Sequence, residues 1–382
     1  MTADHPRSPF PEPAPEPPPG YLDAVAGQPM LPGAQQAWRA ATEQAWSDPA
    51  RLHHEGRRTG MVLDAARASL AAAVGVRPRE LFLTSSGPTA VGVAVQGLLS
   101  RPGVPSRIVA TAVESLAVLS PARRWADEVD LVPVDRDGSV DLDALAAALT
   151  RPAAVVCVQA ANGEVGTRQP LAEAAALARA AGVPLLCHAV QVVGHGPVPS
   201  DWDLFAASAR DWAGPAGVGI LAVRPTVPWT PEENPDRGWV GGFPDVAGAA
   251  AAATALEQVL PASSAEADRH RALTDRIRAS LPTLVDGIVV AGHPVDRLPH
   301  VVTFTCVGVV GEALVHELAR RGISVASGSA CTSDIRMPSQ VLEAMGLAAD
   351  ASVRVSLPYG CSDETVEAFL SALPEAVAAA RA

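Results

Sequence analysis

Lysine is missing from this chain. All 29 basic residues among its 382 are arginine. A protein without lysine has no side-chain primary amine and cannot form a Schiff base with a carbonyl compound through one. Abundant alanine and 35 prolines fit a GC-rich coding bias. That bias explains missing surface lysines but would not by itself remove one needed for chemistry. Basic runs are missing too, and the formal net charge is −12, which argues against a nucleic-acid or anionic-membrane partner. The five cysteines, Cys157, Cys187, Cys306, Cys331 and Cys361, show no CxxC spacing, so no metal site is expected. No apolar run is long enough to span a membrane. The acidic, proline-rich N-terminus does not read as a signal peptide. A cytoplasmic protein with reduced thiols is expected.

What is present suggests two folded units. Hydrophobic residues make up 48% of the chain, ample for a buried core. Residues 1–20 are proline-rich and predict a disordered tail. From residue 21 apolar strands and helices alternate. Strands are expected at 80–84, 107–111, 131–134, 154–159, 184–188 and 216–223. Helices are expected at 61–74, from Gly87, and at 116–125, 142–149 and 171–181. Alternation with continuously apolar strands argues for an α/β fold with a mainly parallel sheet covered on both faces. Long helices at 246–260 and 265–281 follow, then short strands and a last helix over 363–380. The expected boundaries are 21–258 for the large domain and 259–382 for a small C-terminal domain.

Four stretches carry candidate chemistry. Residues 323–333, Ile-Ser-Val-Ala-Ser-Gly-Ser-Ala-Cys-Thr-Ser, pass from a β-branched run into a loop of small residues that presents Cys331. A thiol there is open to reaction, unlike one inside a strand. Thr84-Ser85-Ser86-Gly87-Pro88-Thr89 sits between a strand and a helix, where hydroxyls and free N–H groups suit a phosphate, or simply an N-cap. Ala161-Asn162-Gly163-Glu164-Val165-Gly166 follows a strand and is by itself a turn. Ser208-Ala209-Arg210-Asp211-Trp212-Ala213-Gly214-Pro215-Ala216-Gly217-Val218-Gly219 is punctuated by glycine and proline at fixed intervals.

Together these stretches resemble the cysteine desulfurases, pyridoxal-phosphate (PLP) enzymes of the class V aminotransferase family. The last stretch is similar to that family's Ser-Gly-His-Lys-hydrophobic-Tyr-Gly-Pro-Lys-Gly-Ile-Gly. The resemblance implies a PLP-transferase fold of type I, with a mainly parallel seven-stranded sheet and a smaller C-terminal α/β domain. It also implies a homodimer with the active site at the subunit interface. Cys331 matches the thiol that takes sulfur as a persulfide. Thr89, Asn162, Gln191 and Ser208 match cofactor-pocket residues, with Asn162 also touching substrate. Arg354 matches the arginine that holds the substrate carboxylate.

The departures fall where the cofactor is gripped. Asp211 stands at the lysine that links to PLP, and Arg210 at the preceding histidine. His188 replaces the aspartate that pairs with the pyridine nitrogen. Ser115 replaces the stacking histidine beside Glu114, and Phe243 replaces the threonine that reaches the partner's phosphate. The expectation is that no PLP is bound, the pocket is vestigial, and Cys331 acts as a PLP-independent sulfur relay with a donor or acceptor protein. Three alternatives stay open: a non-catalytic scaffold, a repurposed enzyme using His188, Asp211, Arg210 and Cys331, and an ordinary desulfurase, which the missing lysine disfavours. Asp211 either approaches His188 or turns to Arg210 or solvent. Cys361 is the competing thiol.

Overall fold

Apolar runs that end in one polar residue make the inner strands of the main sheet. The computed structural model describes residues 17–231, 235–327 and 338–381. Helices α1 (Pro32–Gln44) and α2 (His54–Ala73) lead into β1 (Leu81–Thr84) and α3 (Gly87–Leu99). Then come β2 (Arg107–Thr111), α4 (Leu116–Trp125), β3 (Glu128–Val132), α5 (Leu142–Ala148), β4 (Val155–Gln159), α6 (Leu171–Ala181), β5 (Leu185–His188), β6 (Leu204–Ser208) and β7 (Gly219–Val223). These strands form one seven-stranded sheet in the order β1-β7-β6-β5-β4-β2-β3. Strands β2 to β6 run parallel to their neighbours within the set, and β7 pairs antiparallel with both β1 and β6. Every residue of β2, β4, β5 and β6 is buried. Both faces are therefore covered, as continuous apolar strands require.

The C-terminal unit is a four-stranded antiparallel sheet, ordered β10-β11-β9-β8. Its strands are β8 (Ile288–Ala291), β9 (Val301–Cys306), β10 (Ala326–Ser327) and β11 (Ser352–Ser356). Helices α8 (Gly311–Arg320), α9 (Gln340–Ala344) and α10 (Asp363–Arg381) belong to this unit. The N-terminal segment also joins it, because Tyr21 bridges Ser324 and Asp23 bridges Ser356. Of the expected tail, residues 1–16 lie outside the described residues.

The two helices expected at 246–260 and 265–281 are one helix, α7 (Val246–Leu284), with exposed Pro261 inside it. Proline removes one helix hydrogen bond and crowds the preceding turn. Packing at both ends outweighs that cost. Ala249, Ala252, Leu256 and Val259 enter the core of the large sheet, while Leu273, Ile277 and Leu281 enter the core of the small one. The strand at 204–208 and the helix α1 carried too little sequence signal to be expected. The strand expected at 131–134 starts earlier, at Glu128, because its parallel register with Arg107–Thr111 fixes its span.

Candidate functional site

Thr111, Gln159, His188 and Ser208 close β2, β4, β5 and β6, and all four are buried. They mark the carboxyl edge of the parallel strands, where open α/β sheets bind ligands. The β1–α3 turn reaches the same edge, because Thr84 pairs with Gly219, which also pairs with Ser208. Close backbone approach holds that turn in place. A Cβ on Gly87 would stand 2.9 Å from the Ser208 Cβ, and a Cβ on Gly219 would collide with the Ser86 carbonyl.

Hydroxyls gather at the start of α3. Ser86 Oγ accepts from the Thr89 N–H at 3.1 Å, capping the helix. Thr89 Oγ1 lies 2.8 Å from Ser86 Oγ and 3.2 Å from Ser85 Oγ. Asn162 is spent on architecture. Its Oδ1 accepts from the N–H groups of Glu164 and Val165, and its Nδ2 donates to the Val113 carbonyl at 3.0 Å.

His188 is 4% exposed and turns toward Glu114 and Ser115. Its Nδ1 is 3.5 Å from Glu114 Oε2 and 3.4 Å from Ser115 Oγ. Its Nε2 and Glu114 Oε1 are buried without a hydrogen-bond partner among the described residues. An orphaned buried polar atom is costly, so two on one pair mark a place where a ligand atom would be stabilising.

Asp211 lies in the short 3-10 turn Ala209–Trp212 that follows β6 and is 2% exposed. Neither expected partner binds it. Arg210 is exposed, and His188 is occupied elsewhere. Gln191 binds Asp211 instead, through its backbone N–H at 3.2 Å and its Nε2 at 2.9 Å. Gln191 has a φ of 65°, a left-handed conformation that costs a non-glycine residue about 1–3 kcal/mol. The two bonds to Asp211 and a third contact, its Oε1 to His300 Nε2 at 3.0 Å, hold it there. His300 stacks on His195 with ring centroids 3.7 Å apart, and His195 Nε2 meets the Asp211 carbonyl at 3.1 Å. Burial pushes the Asp211 carboxyl up to about 6, opposed by Arg210, the Gln191 bonds and His188. Burial also lowers His195 to about 3 and His300 well below the usual histidine range.

Arg354, on β11, is buried and donates from Nη2 to Asp23 Oδ1 at 3.0 Å, while its Nε has no partner among the described residues. Beyond the Asn162 turn, burial lifts the Glu164 carboxyl to about 7 despite Ser339 and Arg354. Cys331 lies outside the described residues. The competing Cys361 is buried, and desolvation raises its thiol to about 12. That removes it as a ready nucleophile. Glu114, His195 and His300 were not legible as partners of this edge. Glu114 meets His188 from another strand–helix connection, His300 reaches Gln191 across 109 residues of sequence, and His195 meets the Asp211 carbonyl from a neighbouring turn; no local pattern marks these pairings.

A sheet of this order, with a polar carboxyl edge and a hydroxyl-lined helix start, defines a PLP-transferase fold of type I. The Aminotransferase class-V family matches residues 21–369, and the chain belongs to that family, among its cysteine desulfurase-like members. It is 36% identical to the IscS-like cysteine desulfurase of Mycobacterium tuberculosis, over 94% of this chain and 97% of that protein. It is 33% identical to the cysteine desulfurase NifS of Azotobacter vinelandii, over 94% and 93%. Among solved structures, a NifS-like protein superposes with a TM-score of 0.86 at 25% identity, covering 94% of this chain and 99% of its own.

These likenesses correct one expectation. Full-length similarity to cysteine desulfurases, which are PLP enzymes, points to PLP binding rather than to no cofactor. The expectation gave too much weight to the covalent link. The absence of lysine removes that link, yet a phosphorylated ring is also held by hydrogen bonds and charge. The residues present fit such a group without a covalent bond. The hydroxyls of Ser85, Ser86 and Thr89 would take the phosphate, and the orphaned His188 Nε2 would meet the ring. When bound, the cofactor supplies an electron-withdrawing pyridine.

Proposed function

We propose that this member of the family handles sulfur through Cys331, as a persulfide carrier, rather than by lysine-linked cofactor catalysis. The observation that carries this reading is the side chain at the lysine position. Asp211 is buried there and bonded to Gln191, in a chain with no lysine anywhere. A carboxylate has neither the amine for a covalent link nor the basicity of a free lysine for removing an α-proton.

The reaction needs neither. The Cys331 thiolate attacks the terminal sulfur of a donor persulfide or polysulfide. A new S–S bond forms on Cys331, the donor S–S bond breaks, and the donor leaves as a thiolate. Arg354 is proposed as the carboxylate anchor of the family, and the donor or acceptor is proposed to be a protein. Function in the cytoplasm, with residues 21–258 and 259–382 as the two domains, completes the reading.

A homodimer is part of the same proposal. Trp46, Leu52, Met61 and Phe243 are exposed large apolar residues. Contacts of Arg237 with the Pro49 carbonyl, at 2.9 Å, and with Asp64 on α2 tie the Arg237 segment to the loop before α2 and to α2 itself. Sedimentation at micromolar concentration should give twice the monomer mass, and a monomer at all concentrations would refute it.

The test of the relay is intact-mass spectrometry after exposure to polysulfide or to a persulfide-loaded desulfurase. One sulfur, about 32 Da by elementary mass, should add to the wild-type protein and not to Cys331→Ser. If the variant takes up sulfur equally, the scaffold reading replaces the relay.

A further inference from the structure

We propose that the carboxyl edge of the large sheet is a receptor for the amine form of the cofactor, pyridoxamine 5′-phosphate, with the ligand ammonium set against Asp211. The inference concerns the pocket, not Cys331, so it stands or falls separately from the relay.

The charge at position 211 is the starting point. The family resemblance places a side-chain amine there, which suits a ligand aldehyde. An acid in its place suits the opposite partner, a ligand amine. The geometry agrees with that inversion. A carboxylate offers about four lone-pair sites, and the structure shows Asp211 accepting two hydrogen bonds, both from Gln191. Among the described residues no cation forms an ion pair with it, although it is 2% exposed. A primary ammonium would supply both the missing charge and up to three donors. An aldehyde would instead turn an acceptor oxygen toward an acceptor carboxylate, leaving both unsatisfied.

The remaining contacts suit the rest of the same molecule. Ser85, Ser86 and Thr89 crowd the first turn of a 13-residue helix, where a phosphate also gains from the free N–H groups. That turn packs against Ser208, the residue that leads into the Asp211 segment. On the neighbouring strand β5, His188 holds a buried Nε2 that no described residue satisfies, backed by Glu114 at 3.5 Å. These features, a phosphate turn, an orphaned imidazole nitrogen and a carboxylate short of a cation, flank one sheet edge.

Calorimetric titration of the full-length protein tests this with four probes: pyridoxamine 5′-phosphate, pyridoxal 5′-phosphate, unphosphorylated pyridoxamine and L-cysteine. Pyridoxamine 5′-phosphate should bind at least tenfold tighter than the aldehyde and tenfold tighter than pyridoxamine. Asp211→Asn should remove the preference for the amine by weakening pyridoxamine 5′-phosphate at least tenfold, a loss comparable to one charged hydrogen bond, while the aldehyde, relieved of the facing carboxylate, binds no more weakly than to wild type. Circular dichroism checks that the variant is folded, and Asp211→Ser serves if it is not. Equal or tighter binding of the aldehyde would overturn the proposal, as would an amine preference that survives both variants. Binding of L-cysteine alone would overturn it in favour of a free amino acid as the source of the ammonium.

Discussion

At position 211 a carboxylate sits where solvent cannot reach it, and its cost depends on pH. Its folded-state pKa is about 6, against 3.8 for an exposed aspartate. Between those values the unfolded chain ionises while the folded one stays protonated. Stability therefore falls as pH rises from about 4 to 6, and the full penalty, on the order of 3 kcal/mol, is present above it. Asn at this position cannot ionise. It also cannot accept from both Gln191 donors, which costs about 1 kcal/mol. Urea unfolding of the ligand-free proteins should find Asp211→Asn more stable than wild type at pH 8 and less stable at pH 4. Curves that do not cross would mean that Asp211 is not desolvated in solution. The sequence showed an acid at this position, but not that Gln191 would be its partner, because that contact depends on a left-handed backbone at residue 191.

At the scale of elements, the site depends on how closely β7 passes the β1–α3 turn. Gly219 opens β7, and any Cβ there meets the carbonyl of Ser86 and the amide of Gly87. Backbone cannot yield as a flexible side chain does. Gly219→Ala should destabilise the protein by about 1–3 kcal/mol and displace the hydroxyls of Ser86 and Thr89. The phosphorylated ligand should lose more affinity than its unphosphorylated form, measured by titration. An equal loss for both would place the phosphate elsewhere. The spacing of glycines in residues 214–219 was legible as a motif. The reason for the last of them is a contact with residues 86 and 87, more than 130 positions away.

At the scale of the whole molecule, α7 and a buried imidazole stack connect the two cores. His195 lies against His300 and Tyr359, with His270 nearby, and His270 Nε2 is 3.1 Å from Glu266 Oε1. Burial opposes ionisation of Glu266, yet His270 and Arg269 outweigh it and hold the carboxyl far below the usual range. Its stabilisation is complete above the unfolded carboxyl pKa and is lost as pH falls through the folded one. His195 is depressed to about 3. The unfolded chain takes up its proton below about 6.5 while the folded one does not, so stability drops as pH falls from 6.5 toward 3, by on the order of 5 kcal/mol. His195→Gln keeps a donor for the Asp211 carbonyl and has no proton to gain. Its stability relative to wild type should rise steadily from pH 7 to pH 5 in urea titrations. A constant difference would show that His195 ionises freely in the folded protein.

The sequence by itself determined the α/β alternation, the apolar strands, the missing lysine and the motifs that resemble those of the family. These are local properties: period, composition and motif register are written in consecutive residues. Only the tertiary structure decided what the side chains at the candidate site touch. It gave His188 to Glu114 and Ser115, gave Asp211 to Gln191, and left Arg210 in solvent. It also joined two expected helices across Pro261, because both halves of α7 had cores to fill. Those outcomes depend on contacts between residues far apart in the chain, where burial sets the cost of every unpaired polar atom, and no local pattern records them.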